Sequence, residues 1–467
     1  MDLSINDLEK YKKIHLIGIG GISMSAIAET LHNWGFEVTG SDLAHSEITD
    51  KLNKHNIKTT IGHDLTNSKL ADLIIYSAAI KEDDPEMKIA KENNIPLVTR
   101  GEFVGLLTKK YEETICIAGT HGKTTTTSMV SICFLNAKKD PTIEVGAILK
   151  NIDGNYRIGN SKYFILESCE YNGNFLKFFP NTSIILNIDN DHLDYYKTFE
   201  NVVKAFQDFA LLLEPEGLLV TNADDKNCFN LKNIVKSKFI SYGIENPLAD
   251  FIAKNINFDN NGFPSFDVYK KENFFMHIEL SVAGKHNILN ALACIAVCDY
   301  YNIDTKTIAK SLKEFTGAER RLEFRGKFAP KNSTKASVSV FDDYGHHPTE
   351  IKATAEAISE KSFNESWVIF QPHTYSRTKT HLDAFAEVLT KFDHIVLVDI
   401  YAAREKNTIG ITSKALEVKI KGLGKEALYI PDFDEVIKYI KENVKENDLV
   451  LTLGAGTITD ISFKLVK

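Results

Sequence analysis

The sequence predicts an α/β protein built on parallel sheets and divided into three domains. Short apolar runs alternate with helical stretches along most of the chain, the pattern of strands joined by crossover helices. Two glycine-rich loops, at Gly18–Ser23 and Gly119–Thr126, each follow an apolar run and precede a helical one. The 467 residues exceed one core, and about 150 residues per domain points to three.

The elements follow in order. Lys13–Ile17 is an apolar strand, followed by a glycine turn and a helix over Ile22–His32. Phe36–Thr39 is a second strand leading to Ser41-Asp42, and Leu73–Tyr76 is another. This first segment ends near Thr108. The second opens with the strand Thr114–Ala118 and adds buried strands at Tyr163–Leu166 and Ser183–Leu186. Residues 250–279, rich in Asn, Gly and aromatics, predict hairpins or an irregular insertion, and Ala283–Tyr301 predicts one apolar helix. The third segment starts near Ala318, with strands at Ser337–Phe341, Trp367–Phe370, Ile395–Val398 and Leu449–Leu453.

Composition narrows the function. A net charge of −8 gives no general basic surface, which argues against wholesale nucleic-acid binding. No apolar run approaches the roughly 18 residues of a membrane span. The first residues lack a basic region leading into an apolar one, so the chain reads as cytoplasmic. None of the six cysteines forms a C-x-x-C pair, and Cys294 and Cys298 sit at helical spacing in an apolar run, as buried thiols do.

The sharpest motif is Gly119-Thr-His-Gly-Lys-Thr-Thr-Thr126. Its glycines let backbone N–H groups approach an anion, and the helix that follows favours negative charge at its start. Lys123 is placed to reach the β- and γ-phosphates, and the Thr124 hydroxyl to ligate Mg²⁺. A full Walker A spacing asks for glycine where Ile117 stands, so the strand–loop–helix context carries the reading. Triphosphate chemistry also needs carboxylates where strands end, and Glu167, Glu170 and the His192 stretch lie there. Gly18, Gly20, Gly21 and Ser23, with Asp42 about twenty residues on, form a partial dinucleotide fingerprint. Ser23 replaces its third glycine. That loop suits the diphosphate of a nucleotide; a nicotinamide-dependent oxidoreductase is the competing reading.

Taken together the motifs resemble the Mur ligase family. The resemblance rests on Gly18–Met24 with Gly40-Ser-Asp42, Ser77-Ala-Ala-Ile80, Gly119–Thr126, Gly284–Asn290, Asp342–Pro348 and Gln371–Arg377, in that order over nearly the whole chain. It implies a Rossmann-like UDP-binding domain at 1–108, a P-loop-type ATPase sheet at 109–317, and a Rossmann-like amino-acid domain at 318–467. The implied reaction is ATP-dependent ligation of an amino acid, alanine, to the lactyl carboxylate of UDP-N-acetylmuramate through an acyl phosphate.

By motif match, Gly119, Thr120, His121, Gly122, Lys123, Thr124 and Thr125 would hold the ATP phosphates. Thr124, Glu167 and His192 would hold Mg²⁺. His286, Asn287 and Asn290 would lie at the adenine, although helix capping also suits Asn287. Asp343 would hold the ribose, with Arg321 or Arg320 beside it. Gly18, Gly20, Gly21, Ser23, Asp42, Ser77 and Glu170 would bind the UDP-sugar. Tyr344, His346 and Arg377 would take the amino acid. Lys123, His192 and His346 are the implied catalytic groups, with either histidine as base. Gln207 stands where sister ligases carry a carbamylated lysine, which favours the alanine-adding member. A ligase that recycles a whole tripeptide onto the same sugar is the nearest alternative. Partners would be small molecules only, with no nucleic acid or membrane, and the chain a monomer or weak homodimer.

Overall fold

The computed structural model describes Leu8, Lys10–Ser77, Ala79–Lys331, Ser333–Ala403 and Glu405–Lys467; Ala78 of the Ser77–Ile80 motif lies outside these. Two compact units emerge: Met1–Tyr242 with Ala293–Asp304, and Gly243–Leu292 with Thr305–Lys467.

In the first unit, β1 (Lys13–Ile17), β2 (Glu37–Asp42), β3 (Lys58–Ile61), β4 (Leu73–Tyr76) and β5 (Leu97–Thr99) form a parallel sheet ordered β3-β2-β1-β4-β5. The order reverses beside β1, so the chain leaves β1 and β4 toward opposite faces and opens a crevice at their carboxyl ends. Gly18 follows β1 there, and Ser77 follows β4.

A second set of strands in this unit repeats the device. It comprises β6 (Glu113–Ala118), β7 (Thr142–Leu149), β8 (Gly154–Arg157), β9 (Tyr163–Glu167), β10 (Thr182–Ile185), β11 (Leu218–Asn222) and β12 (Lys238–Gly243). They run in the order β12-β11-β10-β6-β9-β7-β8, parallel except for the β7–β8 pair. β6 reads as a continuous apolar run because both of its faces are covered, and Ile115–Ala118 are wholly buried. Its neighbours β9 and β10 diverge in sequence, which makes the end of β6 a second reversal point.

The second unit holds two antiparallel hairpins from β13 (Phe251–Phe258), β14 (Pro264–Lys270) and β15 (Asn273–Glu279), as the composition of 250–279 allows. Its other sheet is β16 (Glu323–Phe328), β17 (Val338–Asp343), β18 (Ser366–Phe370), β19 (His394–Leu397), β20 (Ala427–Tyr429) and β21 (Leu449–Leu453). The order is β16-β17-β21-β18-β19-β20, with β16 antiparallel and the rest parallel. The helix predicted over 283–301 is Lys285–Tyr300. The chain is α/β throughout, as expected.

One buried polar network in the first sheet has no signal in the sequence. His15 on β1 and Glu86, on the helix Pro85–Glu92, are both fully buried and meet at 2.8 Å. Thr39 satisfies the other ring nitrogen, while Ser41 and Ser68 donate to the Glu86 carboxylate at 2.7 Å. Burial alone would raise the Glu86 pKa, but these bonds and the nearby histidine outweigh it and bring it down to about 2. A carboxylate held below its unfolded value stabilises the fold above that value and loses its effect as pH falls. Acid unfolding of the protein should therefore steepen between about pH 4.5 and 2. Glu86→Gln should cost about 2–4 kcal/mol at neutral pH and flatten that slope, as read by urea titrations across pH.

Candidate active site

The phosphate loop leaves β6 and enters the helix Lys123–Asn136, whose N-cap Gly122 is left-handed at φ 84° with no side-chain cap. The first N–H groups of that helix are therefore not consumed by a cap. Gly119, at φ 139°, has no room for a side chain: a Cβ there would lie 2.9 Å from Leu186. The loop is latched to the residues after β10. Thr120 N–H donates to the Asn187 carbonyl at 3.1 Å, His121 N–H to the Asn187 side chain at 2.8 Å, and the Asp189 N–H to Thr120 Oγ1 at 2.9 Å. The His121 ring meets Asp189 at 2.9 Å.

Lys123 turns back over this loop. Its ammonium donates to the carbonyls of Gly119 and Thr120 and to Glu170 at 2.9 and 3.2 Å. Burial disfavours its charge, yet the carboxylates of Glu170 and Glu167 and the Cys169 thiol hold its pKa above the usual lysine range. It is a permanently charged donor at any working pH. Thr124 donates to Glu167 Oε2 at 2.9 Å, and the Gly146 N–H on β7 donates to the same oxygen at 2.8 Å. A Cβ at Gly146 would lie 2.5 Å from that oxygen, so only glycine lets β7 approach it. His192 adopts a left-handed backbone at φ 56° and brings Nε2 to 3.6 Å from Glu170, its ring against Tyr171. Lys123, Thr124, Glu167, Glu170 and His192 thus gather at the carboxyl ends of β6, β9 and β10. Glu170 stands with the phosphate loop rather than with the loop after β1.

The Thr124 hydroxyl and the Glu167 carboxylate are hard oxygen donors at hydrogen-bond distance from each other, a donor set that fits Mg²⁺.

At the first sheet, Gly18 is left-handed at φ 82°, and its N–H donates to Ser41 O at 2.8 Å. Asp42 accepts from the Gly20 N–H at 2.9 Å, so one of its oxygens locks the loop. Gly21 caps the helix Ile22–Asn33 without a side-chain bond, so no capping side chain takes up the first N–H groups of that helix. Ser23 hydrogen-bonds Glu144, a buried carboxylate on β7 whose pKa is raised by that burial. Glu144 and Asn187 carry no sequence signal, since each is polar in a stretch without motif.

In the second unit, Asp343 ends β17 and is buried. It accepts from the Leu322 and Gly345 N–H groups at 2.7 Å each. Burial pushes its pKa up to about 6, against the pull of Arg321 and these two bonds. His286 is held neutral: burial, then the charge of Arg321, bring its pKa down to about 4. Asn287 donates to the Ala283 carbonyl at 2.8 Å and accepts from Asn290 at 2.9 Å, so it stabilises the start of its helix as the plainer reading has it. The neighbouring arginines differ in employment. Arg320 is tied to Asp342 at 3.1 Å and to the Gly454 carbonyl at 2.6 Å, while Arg321 acts on Asp343 and His286.

Tyr344 lies under both guanidinium groups, at 5.0 and 5.3 Å, and its ring meets His346 edge-on. His346 approaches His373 at 5.5 Å between ring centres, and His373 stacks on Tyr401. Arg377 reaches His373 Nδ1 at 3.1 Å. Thr374 sits at φ 63°, ψ 147°, strained for a β-branched residue, at the N-cap of the helix Tyr375–Thr380. Glu405 holds that turn by accepting from the Ser376 N–H at 2.9 Å and from its hydroxyl.

Three family models cover the chain in succession: "Mur ligase family, catalytic domain" over 13–112, "Mur ligase middle domain" over 117–298, and "Mur ligase, glutamate ligase domain" over 320–456. The chain is 44% identical to the UDP-N-acetylmuramate–L-alanine ligase of Acetivibrio thermocellus, covering 100% of this chain and 98% of that protein. It is 46% identical to the ligase of the same name from Clostridium acetobutylicum, over 98% of this chain and 97% of that one. Among solved structures, the UDP-N-acetylmuramate–alanine ligase of Thermotoga maritima matches with TM-score 0.80 and 31% identity, over 97% of this chain and 98% of that one. A murein peptide ligase from Psychrobacter arcticus shares the fold at TM-score 0.71 and 22% identity. Matched by three family models in succession and 44–46% identical over its length to named members, this chain belongs to the Mur ligase family.

Proposed function

We propose that the protein joins L-alanine to the lactyl carboxylate of UDP-N-acetylmuramate at the expense of ATP, in the synthesis of peptidoglycan precursors. The observation that carries this reading is full-length identity of 44–46% to ligases named for that reaction. The Lys123–Glu167–Glu170 cluster supplies its chemistry. Residues 1–108 take the UDP-sugar, 109–317 the ATP and 318–467 the amino acid.

The lactyl carboxylate attacks the γ-phosphorus, forming an acyl phosphate and releasing ADP. Charge spreads over the phosphoryl oxygens, and the Lys123 ammonium, turned from its loop carbonyls, stabilises it from the start of the helix. Thr124, Glu167 and His192 would hold Mg²⁺, which would supply further charge neutralisation when bound. The alanine amine then attacks the acyl carbon, and phosphate departs from a tetrahedral intermediate.

The amine must first lose a proton. His346 Nδ1 lies 3.1 Å from the Tyr344 carbonyl, which fixes the proton on that nitrogen and leaves Nε2 as acceptor. Through His373 it belongs to the same cluster as Arg377, whose planar fork suits the alanine carboxylate. His346 is therefore the favoured base, and His192 belongs to the phosphate side with Glu170.

Glu405 acts as a positioning residue for Arg377 through the Ser376 turn. Glu405→Gln should raise the KM for alanine about tenfold while kcat at saturating alanine and the KM for ATP change less than about twofold. Steady-state kinetics with alanine as the varied substrate checks this.

The reading as a whole is tested by ADP release with UDP-N-acetylmuramate while the amino acid is varied. Turnover that needs both the sugar and alanine supports it. Turnover with a tripeptide and none with alanine sinks it, as does nicotinamide reduction without ATP use.

A further inference from the structure

Three cysteines that the ligase reaction does not use come together in the core of the first unit. Cys133 lies on the helix Lys123–Asn136, and Cys294 and Cys298 lie one turn apart on the helix Lys285–Tyr300. All three are wholly buried. Cys133 Sγ is 3.6 Å from Cys294 Sγ, which is 3.8 Å from Cys298 Sγ, and all three sulfurs fall within 4.8 Å of one another. Tetrahedral zinc with Zn–S bonds of about 2.3 Å has a sulfur–sulfur edge of about 3.8 Å. The trio is thus already spaced to close on a single small thiophilic centre.

Charge decides which centre. A divalent cation on three thiolates leaves a net negative complex, and a monovalent one leaves more, in an apolar core that penalises unpaired charge. Burial also pushes the Cys294 and Cys298 thiols well above their ordinary range, which favours their neutral form. Trivalent arsenic avoids the penalty. We propose that Cys133, Cys294 and Cys298 form a binding site for trivalent arsenic, taken up as neutral arsenous acid. Three S–As bonds form as three As–OH bonds break. Each thiol proton leaves with a hydroxide as water, arsenic stays trivalent, and the product As(SR)₃ is neutral. The three-coordinate pyramid of arsenic asks for no fourth ligand. The adduct staples the helix that starts with Lys123 to the helix Lys285–Tyr300 and favours the folded chain over the unfolded one.

The full-length protein incubated with arsenite, desalted and weighed intact should carry one arsenic less three hydrogens, and its Tm should rise. X-ray absorption of that adduct should show three sulfur neighbours and no oxygen. Cys294→Ala should lower arsenic retention at least about tenfold by removing one arm of the chelate. Cys169→Ala, which alters a partly exposed thiol outside the trio, should keep it. An unchanged mass, a two-sulfur shell, a fall in Tm, or an adduct undiminished in Cys294→Ala overturns the assignment. So does zinc or cadmium retained in competition with arsenite. If Cys294→Ala does not fold, the absorption spectrum of the unsubstituted protein decides alone.

Discussion

Replacing Lys123 with alanine should lower ADP release by about 10³-fold or more while UDP-N-acetylmuramate binding changes less than about twofold. The ammonium sits on the Gly119–Thr126 loop, proposed to cradle the phosphates, and it is held there by two loop carbonyls and by Glu170. A charge placed before the reaction stabilises the developing phosphoryl charge at the moment of transfer, and no other residue of the Gly119–Thr126 loop carries a permanent one. The Gly18–Gly21 loop, proposed to take the UDP group, belongs to a different sheet, so its geometry should survive. The substitution has a second effect that must be separated from the first. Glu170 is 2% exposed, and without Lys123 its carboxylate loses its buried partner. Stability should fall by about 3 kcal/mol. The double substitution Lys123→Ala with Glu170→Gln removes the stranded charge and should recover much of that loss, yet remain inactive. Calorimetry beside single-turnover ADP release distinguishes the two effects.

The second large effect concerns Glu167. Glu167→Gln should raise the Mg²⁺ concentration needed for half-maximal ADP release at least about tenfold and lower kcat about 10²-fold. Its Oε2 already accepts from Thr124 and from the Gly146 N–H, which aim the carboxylate at the phosphate loop. A glutamine keeps the shape but carries no charge, and its amide nitrogen cannot accept either bond. Gly146→Ala should mimic part of this, because its Cβ would displace the same oxygen. A Mg²⁺ titration of ADP release reads both variants.

Much of this arrangement was legible in the sequence, for a physical reason. Strand–loop–helix units declare themselves locally: Ile115–Ala118 is apolar because β6 is buried on both faces, and Gly119 and Gly122 appear where the backbone turns left-handed. Glu167 was legible only in company: strand ends bring it, Glu170 and His192 to the same sheet edge as the phosphate loop. What stayed hidden depends on contacts between residues far apart in sequence. The latch of Asn187 on His121, the meeting of Glu144 with Ser23, and the hold of Glu405 on Ser376 each join different elements. No periodicity marks such residues. The pair Arg320 and Arg321 shows the same limit at single-residue scale. Adjacent and identical, they part company only because Arg320 takes a left-handed backbone at φ 57° and reaches Asp342 and Gly454. The Cys133 contact with Cys294 likewise needed the fold to bring two helices together.

The most direct test of the ligase chemistry follows oxygen. UDP-N-acetylmuramate labelled with ¹⁸O in both lactyl carboxylate oxygens is turned over with ATP and L-alanine, and the inorganic phosphate is weighed. An acyl phosphate requires one labelled oxygen in each phosphate released. Phosphate without label, with the departing heavy oxygen found in a nucleotide or in water, would contradict it.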